Sequence, residues 1–361
     1  MATITTPVFT MQKASTRFAE FDLIRALAIV SVVIIHAGFL SLPDRRILFI
    51  SIDTLQLFCV PAFLLISGFF LTNKLENQNN PTLILKKRLS RIIPPYLFWS
   101  VAFYILNNLG NLKRFDLLGL VRDVLTGSVL PPYYFIVVIV QCYLWWWILV
   151  KLKFFEPRKV LALGFTIQIA FTIVFYLVAF KYLPSIPIPL IERWIFSWIL
   201  PFSTGLVLGS CYDNIQGYLQ RQRMLILAAT ILFYLASIWE FYLLSEVNSD
   251  AWFARSFFKL STQGYAIWFV LSILAFSQSI ILPSKLSKLV KILAAYSFPI
   301  YLLDVMVVNY VNLASYKFMY SAEPLLKLGV LVTVDLLVCF GIIYLLQKLL
   351  PKNYSQYILG I

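Results

Sequence analysis

The sequence predicts an all-α polytopic membrane protein, a bundle of about ten transmembrane helices with both termini in the cytoplasm. Three observations predict it. Apolar residues make up 61% of the 361-residue chain and charged residues only 13%, about half the charged share of an ordinary soluble domain. Apolar windows of roughly 17 to 22 residues recur along the chain, each long enough to cross a hydrocarbon core of about 30 Å. With ten spans and inner termini, 18 Lys and Arg residues fall in inner segments and 11 in outer ones, the bias that orients membrane helices. The formal net charge of +14 therefore reports topology, and nucleic-acid binding is not expected of it.

Residues 1–18, MATITTPVFTMQKASTRF, are polar and are expected to form a disordered cytoplasmic tail. No small-residue cleavage site follows the first apolar run, which is expected to be retained as a helix. That first span, Phe21 to Leu40, carries Arg25 and His36, the one histidine of the chain. Eleven positions at about 100° each are close to three turns, so both side chains share a helix face, roughly 16 Å apart in depth. An ionisable group inside a membrane helix costs at least about 2.5 kcal/mol unless it faces the bundle interior or water, and so marks a functional position. The assumed topology puts Arg25 in the cytoplasmic half and His36 in the outer half.

The second span, Ile50 to Leu71, begins with Asp53 and Gln56 and ends with Ser67 and Gly68. Pro61 frees a carbonyl in mid-helix, and the Ser-Gly pair permits close helix approach, so a kinked packing helix and a site are both open readings. The basic loop that follows, with Lys87, Arg88 and Arg91, leads through Pro94 and Pro95 into a third span, Ile92 to Leu109. Arg88 and Arg91 are helix neighbours at a cytoplasmic surface. A guanidinium fork suits phosphate, but arginines in this place also serve as topology determinants. Phe115 to Leu125 reads as an amphipathic helix on the outer surface, placed to lid a site.

The remaining spans are Tyr134 to Leu149, Val160 to Phe180, Trp194 to Leu208, Leu225 to Leu244, Tyr265 to Leu282, Ser297 to Ala314 and Leu325 to Leu346. FSTGLVLG in the sixth makes a small-residue face. Glu192, Arg193 and Glu240 read as surface charges, and Tyr133, Tyr134 and the tryptophans near them as an interfacial belt. Asp304 in the ninth span and Asp335 in the tenth are carboxylates inside apolar runs, open to pairing with Arg25 or His36 or to protonation, with structural pairing expected for Asp335. The four cysteines lack close spacing and the chain has one histidine, so neither a disulfide framework nor a metal site is expected. Residues 19–349 form the membrane domain, and 350–361 a second cytoplasmic tail.

Together these landmarks resemble the integral membrane acyltransferase family 3. The carrying stretches are FDLIRALAIVSVVIIHAG, with an arginine and a histidine separated by ten residues, LFCVPAFLLISGFFL, and KKRLSRIIPPYLFWS, with weaker echoes in PPYYFIVVIVQCYLW, FSTGLVLG and SFPIYLLD. The resemblance covers essentially the whole chain. It implies transfer of an acyl group, acetyl in the common case, from cytoplasmic acyl-CoA to a hydroxyl of a cell-surface or lipid-linked glycan, in a bacterial inner membrane. It implies His36 as the catalytic residue, acting as general base or, in a mechanistic variant, through an acyl-histidine intermediate. It also implies Arg25 lining the donor's route or orienting the donor, and Lys87, Arg88 and Arg91 binding acyl-CoA. Asp304, Asp53, Ser67 and Tyr301 are the acceptor or supporting residues.

Acetyl-CoA enters as a co-substrate, with no bound cofactor and no metal; membrane lipids are the other partners, and the oligomeric state is left open. Two departures stand out: Asp304 occupies a place where many relatives carry histidine, and the fourth span lacks a His and Trp often seen there. The chain ends soon after its tenth span, so an extracytoplasmic esterase-like domain is not expected. A transporter or proton-coupled exporter using Arg25, His36, Asp304 and Asp335 as a polar relay is the competing reading.

Overall fold

A computed structural model describes residues 19–41, 47–73, 80–109, 116–184, 186–187, 191–319 and 322–361. The expected tail at 1–18 lies outside the described residues. Helices run over Ala19–Ser41 (α1), Ile47–Gln56 (α2), Cys59–Thr72 (α3), Pro81–Asn108 (α4), Leu117–Thr126 (α5), Tyr134–Lys151 (α6) and Pro157–Ala179 (α7). They continue over Ile199–Arg221 (α8), Arg223–Val247 (α9), Leu260–Phe276 (α10), Ser284–Met319 (α11), Pro324–Leu349 (α12) and Lys352–Leu359 (α13). Among the described residues there is no strand, as a chain immersed in lipid requires when every backbone group must be satisfied within its own segment.

Nine segments among the described residues are long and apolar enough to span. The one expected span not among them is the sixth, Trp194 to Leu208, which falls on α8; that helix has the length but turns polar in its second half, QGYLQR. The protein is an all-α integral membrane protein.

The second span is broken, and not where Pro61 itself sits. Residues 57 and 58 form a turn between α2 and α3, because Pro61 cannot donate to the Leu57 carbonyl and its ring crowds that oxygen. The gap is closed by side chains: Tyr265 donates its hydroxyl to the Leu55 carbonyl at 2.9 Å and Tyr234 donates to Ser51 at 3.0 Å. The third span differs too, since α4 runs unbroken from Pro81 through Pro94 and Pro95, and the basic residues form its first turns.

The small-residue faces expected in the second and sixth spans meet each other. α3 packs along α8, and a Cβ on Gly205 would come within 2.0 Å of the Leu65 carbonyl oxygen, so only glycine allows this approach. Thr72 ties the same pair together by donating to the Leu206 carbonyl at 2.8 Å. α1 lies against α11, α3 and α12 at the centre of the bundle, with Phe21, Ile24, Ala28, Ile29 and Val33 fully buried.

Three expectations are corrected. The amphipathic α5 lies along α4, with Tyr104 donating to the Asp116 carbonyl at its start and Tyr96 to the Val124 carbonyl at its end. Its apolar stripe of Leu117, Leu118, Val121 and Leu125 points outward, where lipid is the better solvent, so it does not lid a site. The segment 350–361 is no loose tail: α13 docks on α4, Trp99 donating to the Ile358 carbonyl at 2.9 Å, and Gly360 turns back at φ 73°. Glu240 is not a surface charge but is buried, accepting from the hydroxyls of Tyr176 and Ser261.

Candidate active site

α1 is held at the bundle centre by its apolar faces, so the stripe bearing His36 cannot turn to lipid. α11 lies beside it and brings Asp304 opposite: His36 Nδ1 stands 2.5 Å from Asp304 Oδ2. Asp304 is 1% exposed and the His36 side chain 21%. A carboxylate on Nδ1 fixes the ring's orientation and leaves Nε2 as the nitrogen facing open space. Of the partners open to Asp304, the fold selects the histidine.

That space is a cavity of about 450 Å³, within the usual range for a small-molecule site. It sits beside the second half of α1 and the break between α2 and α3. Its inner wall is Val32, Ile35, Cys59 and Val60, and its aromatic walls are Tyr134, Phe135, Trp252, Phe257 and Tyr301. Polar groups reach it from separate segments: Asp53 from α2, Glu192 from the chain before α8, and Arg255 and Ser256 from the chain before α10. Asp53 and Arg255 form an ion pair at 3.1 Å. The Trp252 indole donates to Glu192 Oε1 at 2.7 Å. Burial pushes the Glu192 carboxyl above the usual range, against the pull of the Trp252 N–H and nearby Arg193. The Tyr301 hydroxyl donates to the Pro132 carbonyl and Tyr133 to that of Leu302, which pins the start of α6 against α11.

The loop carrying Trp252 and Arg255 is anchored from beneath. Lys259 is fully buried and donates to the carbonyls of Ala254 at 2.8 Å and Ser237 at 3.1 Å. Burial lowers its pKa to about 8, with Glu240 and Asp53 pulling the other way.

The other expected residues lie elsewhere. Arg25 has its guanidinium carbon 4.9 Å from the Phe70 ring centroid. Arg88 donates to the Phe70 carbonyl at 2.7 Å, one of the C-terminal carbonyls of α3 that has no partner within its own helix. Lys87 and Arg91 are exposed. Ser67 does not line the cavity. Asp335 is fully buried but forms no ion pair among the described residues; its contact is the Cys339 thiol at 3.9 Å. The expected structural pairing of Asp335 with a cation is not what the fold makes.

Sequence reasoning missed Glu192, Arg255 and Trp252 as site residues and placed Tyr134 in an interfacial belt. The signal available was weak: loop charges and aromatics with no periodicity to say which way they point. Among the described residues no group of His, Cys, Asp and Glu could hold a metal ion, and all four cysteines are free.

The family model described as an acyltransferase domain matches residues 18–345. The chain belongs to the integral membrane acyltransferase family 3. It is also 26% identical to "Probable poly-beta-1,6-N-acetyl-D-glucosamine export protein" of Staphylococcus aureus strain MRSA252, over 303 residues covering 82% of this chain and 81% of that protein. The same-named proteins of strains MSSA476 and Mu50 match at the same identity and coverage. No solved structure matches. Within this acyltransferase family the chain is thus a membrane protein related to proteins named for polysaccharide export, and the His36 cavity is where its polar groups converge.

Proposed function

We propose that this family member is an acyl-CoA-dependent O-acyltransferase of a bacterial inner membrane, moving an acetyl group from the cytoplasm to a hydroxyl of a cell-surface or lipid-linked glycan. The observation that carries the reading is the His36–Asp304 pair at 2.5 Å at the wall of a cavity of about 450 Å³. Nε2 accepts the proton of an acceptor hydroxyl as its oxygen attacks the thioester carbonyl. Asp304 holds the tautomer and stabilises the imidazolium that forms. Collapse of the tetrahedral intermediate forms the ester and breaks the C–S bond, and the CoA thiolate takes the proton from His36.

The donor enters from the other end of α1. Arg88, Arg91 and Lys87 hold its phosphates at the cytoplasmic surface, and Arg25 lines the path of the pantetheine arm. Both termini are then cytoplasmic, and the cavity opens outward to the acceptor. The relatives' name supports a polymer of N-acetylglucosamine as the acceptor class.

The same name favours a second reading, in which Arg25, His36, Asp304 and Asp335 relay protons for glycan export. Purified protein in liposomes, given radiolabelled acetyl-CoA and a cell-envelope glycolipid extract, separates the two. Label on glycan, lost in His36→Ala, is expected; glycan movement without label, or full transfer by His36→Ala, overturns the acyltransferase reading.

A further inference from the structure

We infer that Glu192 and Trp252 form the acceptor-reading subsite of the cavity, and that it admits a sugar ring without an anionic group and rejects one that carries it. The inference rests on the acyltransferase reading only for calling the bound sugar an acceptor. Three observations lead to it.

The first is the charge arrangement. Of the charged side chains lining the cavity, Arg255 is neutralised by Asp53 at 3.1 Å and His36 is paired with Asp304 at 2.5 Å. Among the described residues Glu192 has no such ion-pair partner. Arg193 is near enough to act on it electrostatically, yet makes no ion pair with it and does not line the cavity. Among the described residues the uncompensated charge facing the ligand is therefore negative, and an anionic group held a few Å away is repelled.

The second is the hydrogen-bonding state of Glu192. Its Oε1 accepts from the Trp252 indole at 2.7 Å, and its backbone carbonyl accepts from Trp198 at 2.8 Å. Oε2 takes no hydrogen bond among the described residues. An ionised carboxylate is an acceptor only, so the free oxygen suits the hydroxyl or amide N–H donors that ring a sugar.

The third is the wall beside it. The indole N–H is fixed on Glu192, which holds the Trp252 ring against Phe175, Phe253 and Phe258 while the residue also lines the cavity. A rigid aromatic next to a carboxylate offers an apolar face for the C–H side of a pyranose and an acceptor for its edge. His36 lines the same cavity, so a ring held here presents a hydroxyl to the base.

The test is equilibrium binding to purified protein at pH 8 without any acyl donor. The two probes are an oligosaccharide of N-acetylglucosamine and one of equal length built from a hexuronic acid. Wild-type protein should bind the neutral probe at least about tenfold tighter than the acidic one, the low end of what juxtaposed like charges cost. Glu192→Gln should bring the ratio towards one, mainly by gaining the acidic probe, while Trp252→Phe should weaken both. A wild-type protein that prefers the acidic probe or binds neither, or an unchanged ratio in Glu192→Gln, overturns the inference. The wild-type comparison needs no variant, so a misfolded mutant cannot rescue it. Preference for the neutral probe without acetyl transfer would overturn the proposed function alone; transfer with an unchanged ratio would overturn the subsite alone.

Discussion

At one end of α1, His36 is fixed by Asp304 at 2.5 Å and faces a cavity walled by aromatic rings and a paired Asp53 and Arg255. At the other end, Arg25 lies over the Phe70 ring and Arg88 caps the Phe70 carbonyl, with Lys87 and Arg91 exposed around them. Both ends carry charged groups on one helix face, yet only the first encloses them. A general base must be oriented and shielded for its proton transfer to be directional. A binder of a polyanionic nucleotide needs only cations that stay hydrated until the ligand arrives. The two ends differ in build, and the roles proposed for them can be separated by experiment.

The largest expected effect is at the enclosed end. His36→Ala should lower the transfer rate by about 10³-fold, and Asp304→Asn by about 10²-fold or more, since it presents the wrong tautomer to the cavity. Single-turnover transfer of radiolabelled acetyl measures both. At the open end, Arg88→Ala with Arg91→Ala should raise the donor KM about tenfold and leave the acceptor KM unchanged, as read by steady-state kinetics with each substrate varied. Loss of the Phe70 cap in Arg88→Ala alone should cost about 1.5 kcal/mol of stability, seen as a lower Tm in detergent.

Of similar size, and indifferent to which end does chemistry, is Gly205→Ala. Its Cβ would meet the Leu65 carbonyl oxygen at 2.0 Å, so the α3–α8 contact must open at a cost of about 1 to 3 kcal/mol. Both kinetic ends should suffer together, and a loss confined to one would break the contrast drawn above. The smallest effect concerns the floor of the cavity wall. Burial holds the folded-state pKa of Lys259 at about 8, below the value of about 10.4 in an unfolded chain. Between those values the unfolded chain binds more protons, so stability rises with pH over that window and is lower below it. The Tm should climb between pH 8 and 9.5 in the wild type and stay flat in Lys259→Met.

Much of this was legible in the residues themselves. Apolar run length places the helices, because every span must satisfy its own backbone in lipid. The eleven-residue spacing of Arg25 and His36 puts them on one face, because helical geometry is local. The small residues around Gly68 and in FSTGLVLG announce a close helix contact. The family, too, is carried by short stretches in order along the chain.

What the tertiary structure alone decided is which groups meet. His36 and Asp304 are 268 positions apart, and Asp335, an equal candidate by composition, ends beside Cys339 instead. Glu192, Trp252 and Arg255 lie in loops by sequence, yet they line the cavity; Glu240 reads as a surface charge, yet it is buried, as is Lys259. The outward turn of the α5 stripe and the docking of α13 on α4 belong to the same class. The physical reason is that hydropathy and periodicity report how one helix divides between lipid and protein. The partner of a buried charge depends on the rotation and depth of several helices at once, which only their mutual packing sets.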